Sequence, residues 1–353
     1  MCINTDSNSN LSNTTCPVAT PSEEFALPLI SFLLEGILQL MISSFGIFAN
    51  TASIIILSRK ALKNFFNQLL VVLAVYDLVY CVTVLLESLS KLGVPSNTYN
   101  LLFPYLLYPL NSISMTGSIY MTIAIAMERY IAVQRPIFRV PNQFRSVTND
   151  YSHWKKQLIK YVAPISVFSL FFNFPKFFES QVVYKNKVLH FDVTNLRMSR
   201  WYVMWYHNWA RFLMLGVVPF FTIAFFNFKI YCILNKQKSV PPHTRKKQEE
   251  THSGVLLMIV ITFLVCNFLR ILLNMHEIFV IDEIELCKCS DLGGFPVWIL
   301  ILGFISPVFL TFNSSINLVI YCVFGAKFRK ELHSILTVRS SAGSSSFEMV
   351  TVL

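Results

Sequence analysis

Met127-Glu128-Arg129-Tyr130 closes the third of seven long apolar segments, and Asn317-Leu318-Val319-Ile320-Tyr321 closes the seventh. Arginine and tyrosine anchor many helices at the membrane interface, so the first motif alone marks only the end of a span. A second polar motif at the end of another span adds that these ends meet inside a bundle. If Glu128 holds Arg129 at the inner edge of that bundle, the arginine becomes a movable charge, tied to neighbours or released toward a partner protein.

The composition sets the solvent. With 54% hydrophobic and 14% charged residues, the chain is far more apolar than a soluble domain. Apolar runs long enough to cross ~30 Å of hydrocarbon cover residues 27–57, 65–86, 101–127, 158–174, 212–228, 255–279 and 295–324. They do not alternate polar with apolar as barrel strands do, so the spans are helices. The predicted fold is an all-α membrane protein: a seven-helix bundle with a short amphipathic helix after the seventh span.

Basic residues orient it. With Met1 outside, 20 of the 29 Lys and Arg residues fall in inner segments, 7 in outer ones, and Arg211 and Arg270 lie within spans. The positive-inside rule therefore puts the N-terminus outside, in a multi-pass protein of the plasma membrane. The net charge of +10 then reflects topology and contact with anionic lipid and a cytosolic partner, with no call for nucleic acid. The expected domains are an outer glycosylated tail (1–27), the membrane domain (28–336) and a disordered inner tail (337–353).

The outer tail carries Asn10-Leu11-Ser12 and Asn13-Thr14-Thr15, glycosylation triplets on the accessible side; Asn313-Ser314-Ser315 has the same pattern inside the seventh span, where no transferase reaches it. The tail lacks the basic-then-apolar pattern of a cleaved leader, so the first span is expected to act as the insertion signal. Cys81, Cys232, Cys266 and Cys322 lie in or beside spans and read as small buried hydrophobes. Cys2, Cys16, Cys287 and Cys289 face the oxidising side, where a bridge from Cys16 to Cys287 or Cys289 would tie the tail to the last outer loop.

Asp77 is the one ionisable residue of the second span, and its cost in lipid makes it face the bundle interior. Asn50, Ser118, Asn313, Ser314 and Asn317 lie at comparable depth. One carboxylate with amide and hydroxyl oxygens suits a hard monovalent cation, giving Asp77, Ser118, Asn313 and Asn317 as a sodium site; a hydrogen-bond network around a protonated Asp77 is the plainer alternative.

At these motifs the chain resembles the rhodopsin-like G-protein-coupled receptors, from Asn50 to the stretch 326–336. Leu73-Ala74-Val75-Tyr76-Asp77, Glu128-Arg129-Tyr130, Pro219 and Tyr321 carry the likeness. Within that family it is similar to FMRFamide-type invertebrate neuropeptide receptors, through Phe172-Asn173-Phe174-Pro175-Lys176-Phe177-Phe178-Glu179, Phe263-Leu264-Val265-Cys266-Asn267 with Arg270, and the run 313–325. The resemblance implies an extracellular amidated peptide as ligand, a heterotrimeric G protein as partner and signalling by movement of helix 6. It also implies an activation switch of Glu128, Arg129, Tyr130, Asn317 and Tyr321, with Glu249 as the acid that holds Arg129 at rest. No cofactor is implied beyond the sodium ion.

The departures are informative. The family's cysteine near the outer end of helix 3, bridged to the second outer loop, is absent: that position is near Pro104, and no cysteine occurs between Cys81 and Cys232. Asn267 and Leu269 replace the usual Trp and Pro of helix 6, and Leu318 the usual Pro of helix 7, so both helices are expected to bend less. Asn111 stands where amine receptors place an Asp, and Thr311 where opsins place a lysine, which excludes amine and retinal ligands. Charges remain in the outer half at Glu35, Glu87, Glu179, Arg211, Arg270 and Glu277. Glu87 or Glu277 would pair with a ligand arginine, while Tyr108, Asn111, Met115 and Arg270 line the floor, with Arg211 beside it. Alternatively Arg211 and Arg270 pair with Glu87 and Glu277 inside the protein.

Other classes fit less well. A transporter would show internal repeats and helices broken at the midplane; no repeat is present, and the seventh span carries a mid-span proline, Pro307. Enzymes need a nucleophile with its base or a metal-spaced His cluster, and the spans offer neither. A receptor-like protein that binds peptide without coupling remains open through the altered helix 6 and 7 positions. The Ser-rich stretch 340–346 offers phosphorylation sites for an arrestin, and Thr351-Val352-Leu353 has the form of a PDZ scaffold ligand.

Overall fold

A computed structural model describes residues 20–93, 97–134, 147–185, 188–237, 247–280, 295–335 and 337. Seven helices in it are long and apolar enough to cross a membrane. They are α1 (Pro21–Leu57), α2 (Phe65–Lys91), α3 (Asn97–Gln134), α4 (Val147–Asn173), α5 (crossing at Arg200–Ile233), α6 (Lys247–Phe279) and α7 (Val297–Ser315, continuing as Asn317–Phe324). Residues 326–335 form α8. An antiparallel hairpin of β1 (Ser180–Lys185) and β2 (Val188–Val193), in register Ser180 to Val193, fills the connection from α4 to α5.

The bundle is built for lipid outside and small polar groups within. Phe48, Ile55, Phe171, Phe221 and Val265 are exposed, whereas Ser43, Asn50, Ser53, Ser112, Ser114, Thr116 and Thr122 are buried. Hydrocarbon gives helices no hydrophobic reason to associate, so small residues that permit close approach hold them together. Gly46 of α1 is such a residue: a Cβ there would collide with Ser315 of α7 and Cys81 of α2. Gly117 of α3 is another, because the ring of Tyr76 crosses its surface on the way to Ser166 of α4, where the two hydroxyls meet at 2.7 Å.

Several helices start earlier than the apolar runs suggest, α1 and α5 among them. α1 begins at Pro21, inside the stretch expected to be tail, because Thr20 and Glu23 form a capping box with proline at the first helical position. α5 begins at Arg200 rather than at 212. Its outer third alternates exposed Trp201, Trp205 and Trp209 with the inward Tyr202, Tyr206 and His207, an interfacial aromatic pattern that a hydropathy count passes over.

Three spans contain wide π-helical turns, at Phe32–Leu38, at Phe103–Leu107 and at Val203–Ala210 with Phe212–Val217. Pro104 explains the second, since it has no N–H for the ladder. In the last, Tyr120 of α3 donates to the Met214 carbonyl at 3.0 Å. Such turns recur at functional sites. α6 runs unbroken, with the Asn267 amide back-bonded to the Phe263 carbonyl at 2.9 Å. α7 is interrupted at Ile316 although Leu318 replaces the proline. The cause lies one turn earlier: Thr311 and Ser315 hydroxyls donate to the Pro307 and Thr311 carbonyls at 2.8 and 2.7 Å, a competition with the ladder that bends helices.

Candidate functional site

Three groups of polar side chains are strung through the bundle. The outermost lines a cavity of about 380 Å³ between α1, α2, α3, α5, α6 and α7. Glu35, Phe103, Leu107 and His207 come from the wide turns, and Arg211 from the residue between two of them. Widening a helix turn re-aims its side chains, and here three of the four widened segments, Phe32–Leu38, Phe103–Leu107 and Val203–Ala210, place residues in the cavity wall. Glu87, Tyr108, Asn111, Met115 and Arg270 also line it. Glu277 does not; it turns toward Asn208 of α5.

The cavity is electrically two-sided. Glu35 and Glu87 stand on the α1–α2 wall, and Arg211 and Arg270 on the α5–α6 wall. Glu35 already bonds Lys91 at 3.1 Å and the Ser31 hydroxyl at 2.7 Å. Among the described residues no ion pair within 4 Å joins Arg211 or Arg270 to Glu87 or Glu277, although Arg197 and Arg211 lie near enough to Glu277 to act on its charge. The Arg270 guanidinium instead meets the Met115 sulfur at 3.0 Å. An acidic wall complements a cation, and a basic wall complements hydrogen-bond acceptors.

At mid-membrane, Asp77 is buried and receives a hydrogen bond at each oxygen, from the Ser118 hydroxyl at 2.6 Å and the Asn317 amide at 2.8 Å. Asn50 serves the helices rather than the carboxylate: its amide donates to the Ser314 carbonyl at 2.8 Å and to that of Gly46 at 2.9 Å. Asn313 is half-buried, and the hydrogen bonds to Asp77 come from other residues.

At the inner edge, the Arg129 guanidinium lies over the Phe66 ring, 3.1 Å from its centre, and the Tyr161 hydroxyl donates to Glu128 at 3.1 Å. Tyr130 packs on Phe226 of α5. Tyr321 is buried against Phe328 of α8, and Arg329 caps the end of α7 by donating to the Val323 carbonyl at 2.6 Å. Glu331 of α8 pairs with Arg59 of the first inner loop at 3.6 Å. Glu249 belongs to the first turn of α6, but its side chain lies outside the described residues. So do Asn10, Asn13, Cys16, Cys287, Cys289, Thr351 and Leu353.

One network escaped the sequence reading. Lys176 and Glu179, each 1% exposed, form an ion pair at 2.8 Å. Tyr108 and Tyr202 donate to the same carboxylate at 2.6 Å each. Burial pushes the Glu179 carboxyl up, but the Lys176 charge and hydrogen bond, with those of the two tyrosines, outweigh it and hold the carboxyl below its usual range. A lowered folded value means that the contribution of the ionised Glu179 is present above the ordinary carboxylate range and is lost as pH falls through the depressed one. The signal was there: two opposite charges three residues apart inside a run of phenylalanines have nowhere to go but toward each other.

A cavity near one end, a buried polar centre and an arginine near the other end thus run through seven helices long and apolar enough to cross a membrane. The sequence pattern of the rhodopsin family of 7 transmembrane receptors matches residues 50–321, and the chain belongs to that family, not to a family of enzymes. It is 31% identical over 323 residues to the FMRFamide receptor of Drosophila melanogaster, a match covering 85% of this chain and 53% of the fly protein. It is 28% identical over 334 residues to the FMRFamide peptide receptor frpr-18 of Caenorhabditis elegans, covering 89% and 72%. A third relative, the probable G-protein coupled receptor frpr-1 of the same worm, is 24% identical over 328 residues. The chain thus spans about half the length of the fly receptor it matches.

Proposed function

We propose that this protein is a plasma-membrane receptor, N-terminus outside, for an amidated neuropeptide of the FMRFamide type, and that it activates a heterotrimeric G protein. The two-sided cavity carries this reading. A peptide ending in Arg-Phe-amide presents one cation, one ring and an uncharged carbonyl-bearing end. Its arginine suits Glu87, and its carbonyls suit Arg270 and Arg211, over a floor of Tyr108, Asn111 and Met115. A volume of about 380 Å³ holds one end of a peptide, within the ~300–1,000 Å³ of small-ligand sites. The names of the fly and worm relatives support the same ligand class. The test is agonist-stimulated nucleotide exchange on G proteins, run against a panel of amidated peptides. Arrestin at the phosphorylated tail, a PDZ scaffold at Thr351 and Leu353, glycans at Asn10 and Asn13, and the bridge from Cys16 complete the reading as the sequence suggests it.

Asp77 and Ser118 have the ligand chemistry for a sodium ion, one carboxylate oxygen and one hydroxyl oxygen within hydrogen-bond distance; Asn317, whose amide nitrogen donates to Asp77 here, and Asn313 would turn their amide oxygens to the ion. An ion that favours the resting state must oppose agonist. Added sodium is expected to weaken agonist affinity by about 5-fold or more, and Asp77→Asn to abolish that effect. Sodium sensitivity that survives the substitution, measured by agonist displacement, rejects the site.

Glu249 is proposed to restrain Arg129 at rest. Exposed pairs contribute about 0–1 kcal/mol and partly buried ones more, so Glu249→Ala should raise basal signalling by roughly 5-fold. Basal activity unchanged at equal surface expression would assign Glu249 to solvent.

A further inference from the structure

The second outer loop of this chain has no cysteine to fasten it, yet it is fixed in a defined place. Glu179 sits at the base of the hairpin, between the end of α4 and β1. Its carboxylate is saturated: Lys176 reaches both oxygens at 2.8 and 2.9 Å, Tyr202 one and Tyr108 the other at 2.6 Å, with Arg197 at 3.9 Å. The Lys176 ammonium also donates to the Tyr108 hydroxyl at 2.8 Å. These residues come from the outer end of α3, the end of α4, the one-turn helix Asn195–Met198 and the start of α5. The base of the hairpin is closed by Thr194, whose N–H and hydroxyl donate to the Glu179 and Phe178 carbonyls at 3.0 and 2.6 Å. Farther out, Asn100 of α3 donates to the Leu189 carbonyl of β2 at 2.8 Å.

We propose that the Lys176–Glu179 pair, with Tyr108 and Tyr202, is a non-covalent clamp that fastens the hairpin of the second outer loop to α3, in place of a disulfide. The same Lys176 and Tyr108 form part of the cavity wall, so the clamp positions that wall as well as the loop. A buried pair is a sensitive fastening. Its two charges are sequestered from water, and removing one strands the other in a low-dielectric site, whereas removing both leaves no stranded charge. Lys176 and Glu179 are therefore positioning residues, whose effect on a ligand passes through the loop and Tyr108.

Hydrogen exchange of the hairpin amides in purified, peptide-free receptor tests this independently of any ligand assignment. Lys176→Met is expected to speed exchange across β1 and β2 by tenfold or more while amides of α2 and α6 keep their rates. Tyr202→Phe, which removes one hydroxyl and leaves the charges in place, is expected to speed it about threefold. The double variant Lys176→Met with Glu179→Met relieves the stranded charge but not the lost fastening, so its hairpin should exchange more slowly than in Lys176→Met and still faster than in the native receptor. A thiol reductant should leave the native hairpin unchanged. The proposal is overturned if reduction loosens the native hairpin, or if hairpin exchange is unmoved in Tyr202→Phe together with whichever of the Lys176 variants folds.

Discussion

Glu87→Gln is expected to reduce the potency of an arginine-containing amidated peptide by about 10- to 150-fold, and to leave its citrulline analogue little changed. The estimate follows from a charge-assisted contact in a dehydrated cavity, worth about 1.5–3 kcal/mol. Two observations favour Glu87 over the neighbouring acids. Glu35 is engaged by Lys91 and Ser31, and Glu277 points at α5, whereas Glu87 lines the cavity and has no ion-pair partner among the described residues. Citrulline keeps the shape of arginine and loses its charge, so the comparison isolates the ion pair from packing. Equal losses for both peptides would mean that Glu87 supports the fold and does not touch the ligand arginine.

Gly117→Ala is expected to lower the melting temperature of the purified receptor by about 1–4 °C, and its surface expression with it. The added Cβ falls on the Tyr76 ring itself, so the ring must leave its place between α2, α3 and α4 and give up its hydrogen bond to Ser166. Overpacking of this kind costs about 1–3 kcal/mol, which corresponds to a few degrees at most for a chain of this size. Tyr76→Leu combined with Gly117→Ala should recover most of the loss, because the smaller side chain vacates the space. A receptor as stable with alanine as with glycine would show that α3 and α4 shift apart without penalty.

What could be read from the sequence depended on whether chemistry left residues a choice. The seven spans were legible because about 20 consecutive apolar residues have few other uses. Asp77 was legible as a buried centre because a lone carboxylate in a span must find partners, and Ser118 and Asn317 are its partners here. The outer third of α5 was not, since Trp, Tyr, His and Arg at an interface resemble loop residues by hydropathy. Glu277 faces Asn208 and is absent from the cavity lining, a placement that the order of charges along α6 did not reveal. The turn at Ile316 and the π-helical segments decide which residues face inward, and those irregularities arise from back-bonded hydroxyls and neighbouring helices more than from any local motif. The clamp at Lys176 and Glu179 was visible as a motif but not as a function, because its two tyrosines come from helices far away in the chain.

The central claim is that a peptide in the outer cavity opens the inner face to a G protein. Guanine-nucleotide exchange on purified heterotrimers, driven by the receptor in lipid nanodiscs with and without Phe-Met-Arg-Phe-amide, tests it most directly. The account predicts peptide-dependent acceleration that Arg129→Ala abolishes while peptide binding persists. A receptor that binds the peptide yet accelerates exchange on none of the G-protein classes would contradict it.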